Sequence, residues 1–275
     1  RLLLDGPRRI GESPSGEAIS AARASLAFHA PPAAGSPAGA AAHAIAVAAF
    51  GMPADDWLGL QALPDLDRWA AAGRTASARW MHQLRGEHSS AAQTPRTATT
   101  TALLAADRHA TWIGELSAAS DADPEFARLP TWRGAPAETG ALARQQAEPL
   151  IGALLQRSAS PVPARFVARL RELALRLAGR ATASVGAMAL PSGDGIAWVE
   201  NARGLLVHQV RLAQGRVLAW RIVAPTEWNF HPSGALASAL LGTPASDLDA
   251  VTRRTTQLVD SLDPCVACHV AFDHA

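Results

Sequence analysis

The sequence predicts an α+β protein that is predominantly helical and contains a small antiparallel β-sheet. Apolar residues recur at helical spacing over most of the chain, but between residues 195 and 224 they form short stretches around a turn sequence. A chain of 275 residues, 48% of them hydrophobic, can bury a sizeable core. We expect a single domain over residues 1–275, with a flexible segment at 86–101, where Ser, Thr, Ala and Gln dominate.

The helical stretches follow one another along the chain, separated by loops that are rich in Pro and Gly. Gly73 argues against one unbroken helix over residues 66–84, because a glycine in the middle of a helix costs roughly 1 kcal/mol relative to alanine. The last helix begins with Ser246 or Asp247 as its N-cap and ends at Pro264. The other predicted helices cover residues 17–28, 40–50, 66–84, 102–117, 138–157 and 166–177.

Three short apolar-rich stretches are predicted to be strands, at residues 196–200, 205–212 and 217–223. The sequence Ala213-Gln214-Gly215-Arg216 provides a turn between the last two stretches. We therefore expect a β-hairpin with a third strand beside it. Trp132, Trp198, Trp220 and Trp228 are interpreted as packing residues of the core or of an interface.

Charge and hydropathy exclude several classes of function. The formal net charge is +1, which does not favour binding to nucleic acid or to an anionic membrane. No apolar run is long enough to span a bilayer, and the first residues lack the features of a secretory signal. We expect a cytoplasmic protein without membrane insertion. The two cysteines lie three residues apart, which does not indicate a disulfide framework.

The segment Cys265-Val266-Ala267-Cys268-His269 has four interpretations when it is taken alone. It matches the attachment site of a c-type haem, and it also supplies three ligands of a zinc site. A thioredoxin-like redox pair is a third interpretation, although such a pair should follow a strand and begin a helix. The fourth interpretation is a pair of idle thiols. Two closely spaced soft ligands favour a metal site.

Four segments together indicate a family. Asp263-Pro264-Cys265-Val266-Ala267-Cys268 closely resembles the C-terminal signature of [NiFe]-hydrogenase large subunits. In the same order, three upstream segments resemble further motifs of these subunits: 130–144, with Glu138-Thr139-Gly140-Ala141-Leu142-Ala143-Arg144; 200–204, Glu-Asn-Ala-Arg-Gly; and 225–229, Pro-Thr-Glu-Trp-Asn. The resemblance covers about half of the chain, residues 130–268, and implies a large-subunit-like helical core with a small antiparallel sheet.

The sequence also departs from that family. Hydrogenases have a second, N-terminal Cys-x-x-Cys, whereas this chain has Ala34 and Pro37 in the matching region and two cysteines in all. The family's C-terminal His is replaced by Ala271, and the chain ends at Ala275, so no cleavable extension is expected. We therefore expect no hydrogenase activity and no nickel.

The departures are similar to those of the HupK/HoxV group of hydrogenase accessory proteins. This resemblance implies a non-catalytic scaffold or chaperone that binds the Fe(CN)2(CO) fragment transiently and passes it to the hydrogenase. The implied partners are a HypC-type chaperone, the HypC–HypD complex and the immature hydrogenase large subunit. The alternatives are a degenerate large-subunit homologue with a structural or sensory role, and a c-type haem protein.

The resemblance also implies roles for individual residues. Cys265 and Cys268 are the expected metal ligands, because thiolate suits low-spin iron that carries cyanide and carbon monoxide. Arg203 would supply positive charge beside the thiolates, and the hydroxyl of Thr226 would donate to a cyanide nitrogen. Backbone amides near Ala202 and Gly204 are further candidate donors. The less specific candidates are His269, Glu138, which could instead cap a helix, and Asn229, which could be purely structural.

Overall fold

The structure, a computed structural model, describes residues 36–88, 102–105, 112–158, 160–181, 184–190, 193–242 and 246–272. The chain divides into two compact units, residues 1–93 with 147–182 and residues 94–146 with 183–275. The prediction of a single domain stays a prediction. The predicted helix at 17–28, Ala34, and residues 89–101 of the segment predicted to be flexible lie outside the described residues.

The predicted fold class is confirmed, since the described residues are mainly helical and include a four-stranded antiparallel sheet. The helices are α1 (Pro37–Phe50), α2 (Ala54–Leu58), α3 (Leu63–Ala72), α4 (Ala76–His88), α5 (Trp112–Ala122), α6 (Ala141–Gln145), α7 (Pro149–Arg157), α8 (Val162–Leu177), α9 (Pro225–Asn229), α10 (Ala235–Leu240) and α11 (Leu248–Ser261). The strands are β1 (Ala102–Leu104), β2 (Ala137–Thr139), β3 (Val185–Ala189), β4 (Gly195–Asn201), β5 (Gly204–Ala213) and β6 (Arg216–Val223).

The first unit is a helical cluster around α8, which contacts α1, α2, α4 and α7. The buried face of α8 includes Phe166, Val167 and Leu170, at the helical spacing that the sequence predicts. The stretch predicted at 66–84 consists of two helices, α3 and α4. Gly73 ends α3 with a positive φ of 60°, a backbone conformation that is accessible to glycine at little cost.

The sheet of the second unit has the strand order β3-β4-β5-β6, and every neighbouring pair is antiparallel. The predicted hairpin is confirmed as β5 and β6. Gln214 and Gly215 connect these strands with φ angles of 49° and 74°, as a two-residue hairpin turn with two positive φ angles requires. The sequence did not indicate β3, because its residues, Val-Gly-Ala-Met-Ala, include a single β-branched side chain.

Two predicted helices in the second unit are wrong at their first residues. Instead of a helix over 102–117, the chain forms β1 and then α5. The predicted helix 138–157 is instead β2 followed by two separate helices, α6 and α7. The two short strands pair with each other in parallel, so Ala102 lies opposite Ala137. This pairing joins segments that are far apart in the sequence, and tertiary contact therefore overrides the local helical pattern.

Apolar side chains from α5, β4, β5, β6 and α9 form one core cluster in the second unit. Trp228 is completely buried in it and lies edge-on to Phe126, with ring centroids 6.2 Å apart. Trp132 and Trp198 pack partly against the same cluster. The packing role predicted for these three tryptophans is confirmed, whereas Trp220 is exposed and is not a core residue.

Candidate metal-binding site

The cysteine pair lies in the C-terminal tail, directly after α11. Asp247 is the N-cap of this helix, as predicted, and its side chain accepts a hydrogen bond from the backbone N–H of Ala250 at 3.0 Å. After the helix, Asp263 has a φ of 53°, which is uncommon for a residue other than glycine. We call residues 265–272 the cysteine tail. Cys265 and Cys268 are exposed, free thiols in this tail, and His269 beside them is exposed as well.

Arg203 connects the turn between β4 and β5 to the residues that precede the cysteine tail. Its Nε atom donates to the backbone carbonyl of Asp263 at 2.9 Å and lies 3.7 Å from the carboxylate of the same residue. The turn itself is held by Asn201, whose Oδ1 accepts from the backbone N–H groups of Arg203 at 2.8 Å and Gly204 at 3.2 Å. The guanidinium therefore fixes the chain two residues before Cys265.

The same turn packs tightly against the segment that follows β2. A Cβ atom added to Gly204 would lie 2.6 Å from Cγ2 of Thr139, and one added to Gly140 would lie 2.9 Å from the carbonyl oxygen of Arg203. Both glycines also have positive φ angles, 133° and 117°. The hydroxyl of Thr139 accepts a hydrogen bond from the N–H of Leu205 at 2.9 Å. The approach of the two backbones requires glycine at both positions.

Asn229, at the end of α9, joins these two segments through both ends of its side-chain amide. Its Oδ1 accepts from the N–H of Thr139 at 2.9 Å, and its Nδ2 donates to the carbonyl of Arg203 at 3.2 Å. The residue is 2% exposed, and its bond to Thr139 is shielded from water. We call Thr139, Gly140, Arg203, Gly204 and Asn229 the Arg203 clasp. The predicted contact of Asn229 with a cyanide ligand stays a prediction.

A buried ion pair lies next to the Arg203 clasp. The guanidinium of Arg144 donates to the carboxylate of Glu200, and these side chains are 15% and 3% exposed. A buried charge is stable only if it is paired, so each residue requires the other. The sequence alone did not indicate this pair or a contact of Thr139, although all three residues belong to the motifs that resemble those of the hydrogenases. A motif alone does not indicate which of its members touch.

The remaining predicted site residues have different surroundings. Thr226 is half-buried in the first turn of α9, and Ala202 is exposed in the turn between β4 and β5. Glu138 is buried within β2, whereas Gly140 is the N-cap of α6, so the helix-capping interpretation of Glu138 is wrong. The N–H of Gly204, a candidate donor to the iron fragment, is bonded to Asn201.

The structure also bears on the other interpretations of the cysteine pair. A thioredoxin-like pair follows a strand and begins a helix, but here α11 precedes the pair and residues 265–272 are not helical. Within the described ranges, no three His, Cys, Asp or Glu side chains are grouped so that they could hold a metal ion. The haem interpretation stays a prediction. Among the helices of the described ranges, none is both long and apolar enough to cross a membrane.

This chain is similar to hydrogenases and to hydrogenase expression/formation proteins. A model of the nickel-dependent hydrogenase family matches residues 153–271. The hydrogenase expression/formation protein HoxV of Cupriavidus necator is 38% identical over 175 residues, which cover 58% of this chain and 44% of that protein. The hydrogenase expression/formation protein HupK of Azotobacter vinelandii is 37% identical over 161 residues, 57% of this chain and 42% of that protein.

The matches to hydrogenases themselves are shorter. The uptake hydrogenase large subunit of Rhizobium leguminosarum bv. viciae is 32% identical over 80 residues, 27% of this chain and 13% of that protein. The structure of the Ni-Fe-Se hydrogenase from D. vulgaris Hildenborough aligns with 50% of this chain and 36% of that chain, at 22% identity and a TM-score of 0.37. A TM-score of this size does not by itself indicate a shared fold. The chain spans less than half the length of the expression/formation proteins that it matches.

Proposed function

We propose that this chain is a maturation scaffold for a [NiFe]-hydrogenase, because residues 153–271 match a model of the nickel-dependent hydrogenase family and the chain is similar to hydrogenase expression/formation proteins. In this proposal it is not itself a hydrogenase. It binds the Fe(CN)2(CO) fragment through Cys265 and Cys268 and passes it to the immature large subunit. A HypC-type chaperone, or the HypC–HypD complex, delivers the fragment. The names of the expression/formation relatives support the maturation role.

One observation carries the proposal: the four segments that resemble the family's motifs meet in the second unit. Asn229 bonds to both Thr139 and Arg203, and Arg203 bonds to Asp263, next to the cysteine tail. The bonded residues are separated by 26–90 positions in the sequence. These contacts bring all four segments together next to the two thiols, which is the arrangement that a binding site at the thiols needs.

The chemistry of the ligands favours an iron fragment as cargo. Two thiolates at positions i and i+3 are soft ligands that can chelate one metal. The fragment carries three diatomic ligands of its own and needs few from the protein. The 275 residues contain two cysteines, whereas the resemblance to hydrogenases implies four thiolates around nickel. Two thiolates therefore support temporary binding of iron rather than assembly of the bimetallic site.

The surroundings of the thiols support both binding and release. Arg203 supplies a permanent positive charge beside the segment that leads to Cys265, which favours the net negative charge of the iron fragment once both cysteines hold it. The half-buried hydroxyl of Thr226 is the proposed donor to a cyanide nitrogen. Both thiols are exposed, so a partner protein can reach the cargo without unfolding the scaffold.

Infrared spectroscopy tests the proposal. The full chain is co-expressed with the maturation proteins, purified without oxygen, and examined for the stretching bands of iron-bound CO and CN. We expect these bands in the wild-type protein and their loss in both Cys265→Ser and Cys268→Ser. Arg203→Leu should retain less iron than the wild type. Val266→Ser is the matched control, because this exposed residue lies between the two cysteines and its replacement leaves both thiols in place.

Two outcomes would contradict the proposal. One is the absence of CO and CN bands from the wild-type protein, and the other is their persistence in the double Cys→Ser variant. The visible spectrum of the same samples tests the haem alternative. A Soret band that survives denaturation would indicate a covalently attached haem instead of the iron fragment.

A further inference from the structure

Asp263 lies between the end of α11 and the cysteine tail, and its backbone has a left-handed conformation. Its φ is 53°, whereas Leu262 before it still has helical angles, a φ of −85° and a ψ of −6°. The N–H of Asp263 donates to the carbonyl of Asp260 at 3.1 Å and closes the last turn. A left-handed residue directly after a helix ends that helix and turns the chain away from its axis. Asp263 therefore sets the direction in which the chain leaves α11.

The residue type and the following residue both oppose this conformation. Glycine usually occupies a left-handed position at the end of a helix, because every other residue has a Cβ that clashes there. A residue before a proline, as Asp263 is before Pro264, favours an extended backbone instead. Within the described ranges, Arg133 and Gln214 also have a positive φ without being glycine, but both lie in tight turns. A conformation that local preferences oppose persists only where the surrounding structure holds it.

Contacts on both sides of Asp263 hold it in place. Nε of Arg203 donates to the carbonyl of Asp263 at 2.9 Å and lies 3.7 Å from its carboxylate, which is 15% exposed. Leu262 on one side and Pro264 on the other are both buried. Three consecutive residues are therefore anchored, and Cys265 is the first exposed residue after them.

The direction of the cysteine tail depends on this anchor. Rotation about the N–Cα bond of Asp263 moves every atom that follows it. An extended φ of about −120°, which the proline favours, would take Pro264 out of its buried position and turn Cys265 away from Arg203. Residues 265–269 are all exposed, so their own packing does not hold them against such a rotation.

We propose that Asp263 is a positioning residue of the iron site. Its left-handed backbone, held by Arg203, seats Pro264 and thereby directs Cys265 and Cys268 to the surface beside the Arg203 clasp. This inference rests on the proposed function, because it takes the two cysteines as the iron ligands. Asp263 itself does not touch the fragment and acts through Pro264. Strained backbone of this kind is retained where it serves a site.

Electron paramagnetic resonance of the cargo-free full chain tests this role. The sequence has two cysteines, so Cys268→Ser leaves Cys265 for a nitroxide spin label. With Asp263 in place we expect a spectrum dominated by the slow component. Asp263→Val should raise the ratio of the fast to the slow component about 5–30-fold, since a β-branched residue strongly disfavours a positive φ. Asp249→Ala, which removes an exposed aspartate from the regular helix α11, is the matched control and should leave the spectrum unchanged.

Two further variants separate the backbone of Asp263 from its carboxylate. Asparagine tolerates the left-handed conformation and glycine adopts it freely, so Asp263→Asn and Asp263→Gly should both keep the slow component although the charge is lost. Equal mobilisation of the label by the Asn, Gly and Val variants would overturn the inference. If circular dichroism shows that Asp263→Val does not fold, Arg203→Leu replaces it, because it removes the donor to the Asp263 carbonyl and should mobilise the label.

Infrared spectroscopy of the same substitutions, with both cysteines intact, distinguishes this inference from the proposed function. Asp263→Val should retain at least about fivefold less iron-bound CO and CN than the wild type, and Asp263→Asn should retain more than Asp263→Val. Absence of the bands from the wild type would contradict the proposed function, and the spin label would still decide the role of Asp263. Wild-type bands that persist fully in Asp263→Val, or a label that stays slow in it, would overturn the positioning role and leave the scaffold proposal standing.

Discussion

The Arg203 clasp and the cysteine tail are adjacent in the second unit but are built in opposite ways. In the clasp, Asn229 is 2% exposed and uses both ends of its amide, and two glycines allow backbones to touch. In the tail, both thiols are exposed, and the one hydrogen bond found for either among the described residues is a long contact of 3.8 Å from Sγ of Cys268. The clasp contains the buried contacts that stabilise the fold, whereas the cysteine tail contains the exposed thiols.

Because of this difference, we expect that some substitutions change the stability of the fold and others change binding at the thiols. Substitutions in the clasp leave buried polar groups unsatisfied or force backbones apart, so they should lower the free energy of unfolding. Substitutions in the tail remove exposed atoms and should change binding alone. The arrangement suits a scaffold, because a rigid support holds the approach to the thiols while the thiols stay within reach of another protein.

The largest effect on stability is expected for Gly204→Ala. Its φ of 133° is strained for alanine, and the new Cβ would lie 2.6 Å from Thr139, so we expect a loss of about 4 kcal/mol in the free energy of unfolding. Urea denaturation measures this loss. Gly114→Ala in α5 is the control, since nothing lies within 4 Å and alanine favours the helix by up to about 1 kcal/mol. Equal effects of both substitutions would contradict the tight approach.

The next effect is expected for Glu200→Gln, which removes the carboxylate that pairs with the largely buried guanidinium of Arg144. We expect a loss of about 3 kcal/mol, again from urea denaturation. Glu125→Gln is the matched control because it breaks the exposed pair with Arg128 and should cost no more than about 0.5 kcal/mol. If the two variants were equally stable, the Arg144–Glu200 pair would not support the clasp.

A smaller loss is expected for Asn229→Ala. The substitution removes the partners of the N–H of Thr139 and the carbonyl of Arg203, and we expect a loss of about 2 kcal/mol. Hydrogen exchange should also show faster opening of the Thr139 amide. For comparison, Gln146→Ala removes a single partly buried bond to Ala143 and should cost about 0.5 kcal/mol. Unchanged protection of the Thr139 amide would argue against Asn229 as the residue that joins the two segments.

The smallest effect on stability is expected in the cysteine tail. Cys265→Ser and Cys268→Ser should each change the free energy of unfolding by no more than about 0.5 kcal/mol, because both side chains are exposed. Thermal unfolding of the cargo-free protein measures this. A large destabilisation would mean that the thiols belong to the folded core, and the distinction between clasp and tail would be lost.

Elements with local signals were predictable from the sequence. The hairpin followed from two apolar stretches around Gln214-Gly215, and the N-cap of α11 followed from Asp247, because both signals lie within a few residues of the structure they specify. The pairing of β1 with β2 was not predictable in this way. Its three-residue strands have no stability of their own, and their contact joins the two ends of a connection that contains α5.

Sequence patterns alone identified Cys265, Cys268 and Arg203 as candidate site residues, but not Thr139, Arg144 or Glu200. The order of the motifs and the spacing of Cys265 and Cys268 indicated the family and a thiolate site, since these are properties of residue type and interval. Only the tertiary structure shows which of the motif residues contact one another and which are exposed. It paired Glu200 with Arg144, bonded Asn229 to Thr139 and Arg203, and left the thiols exposed. The physical reason is that contacts between residues 26–90 positions apart are set by the packing of the whole unit, which no local pattern encodes.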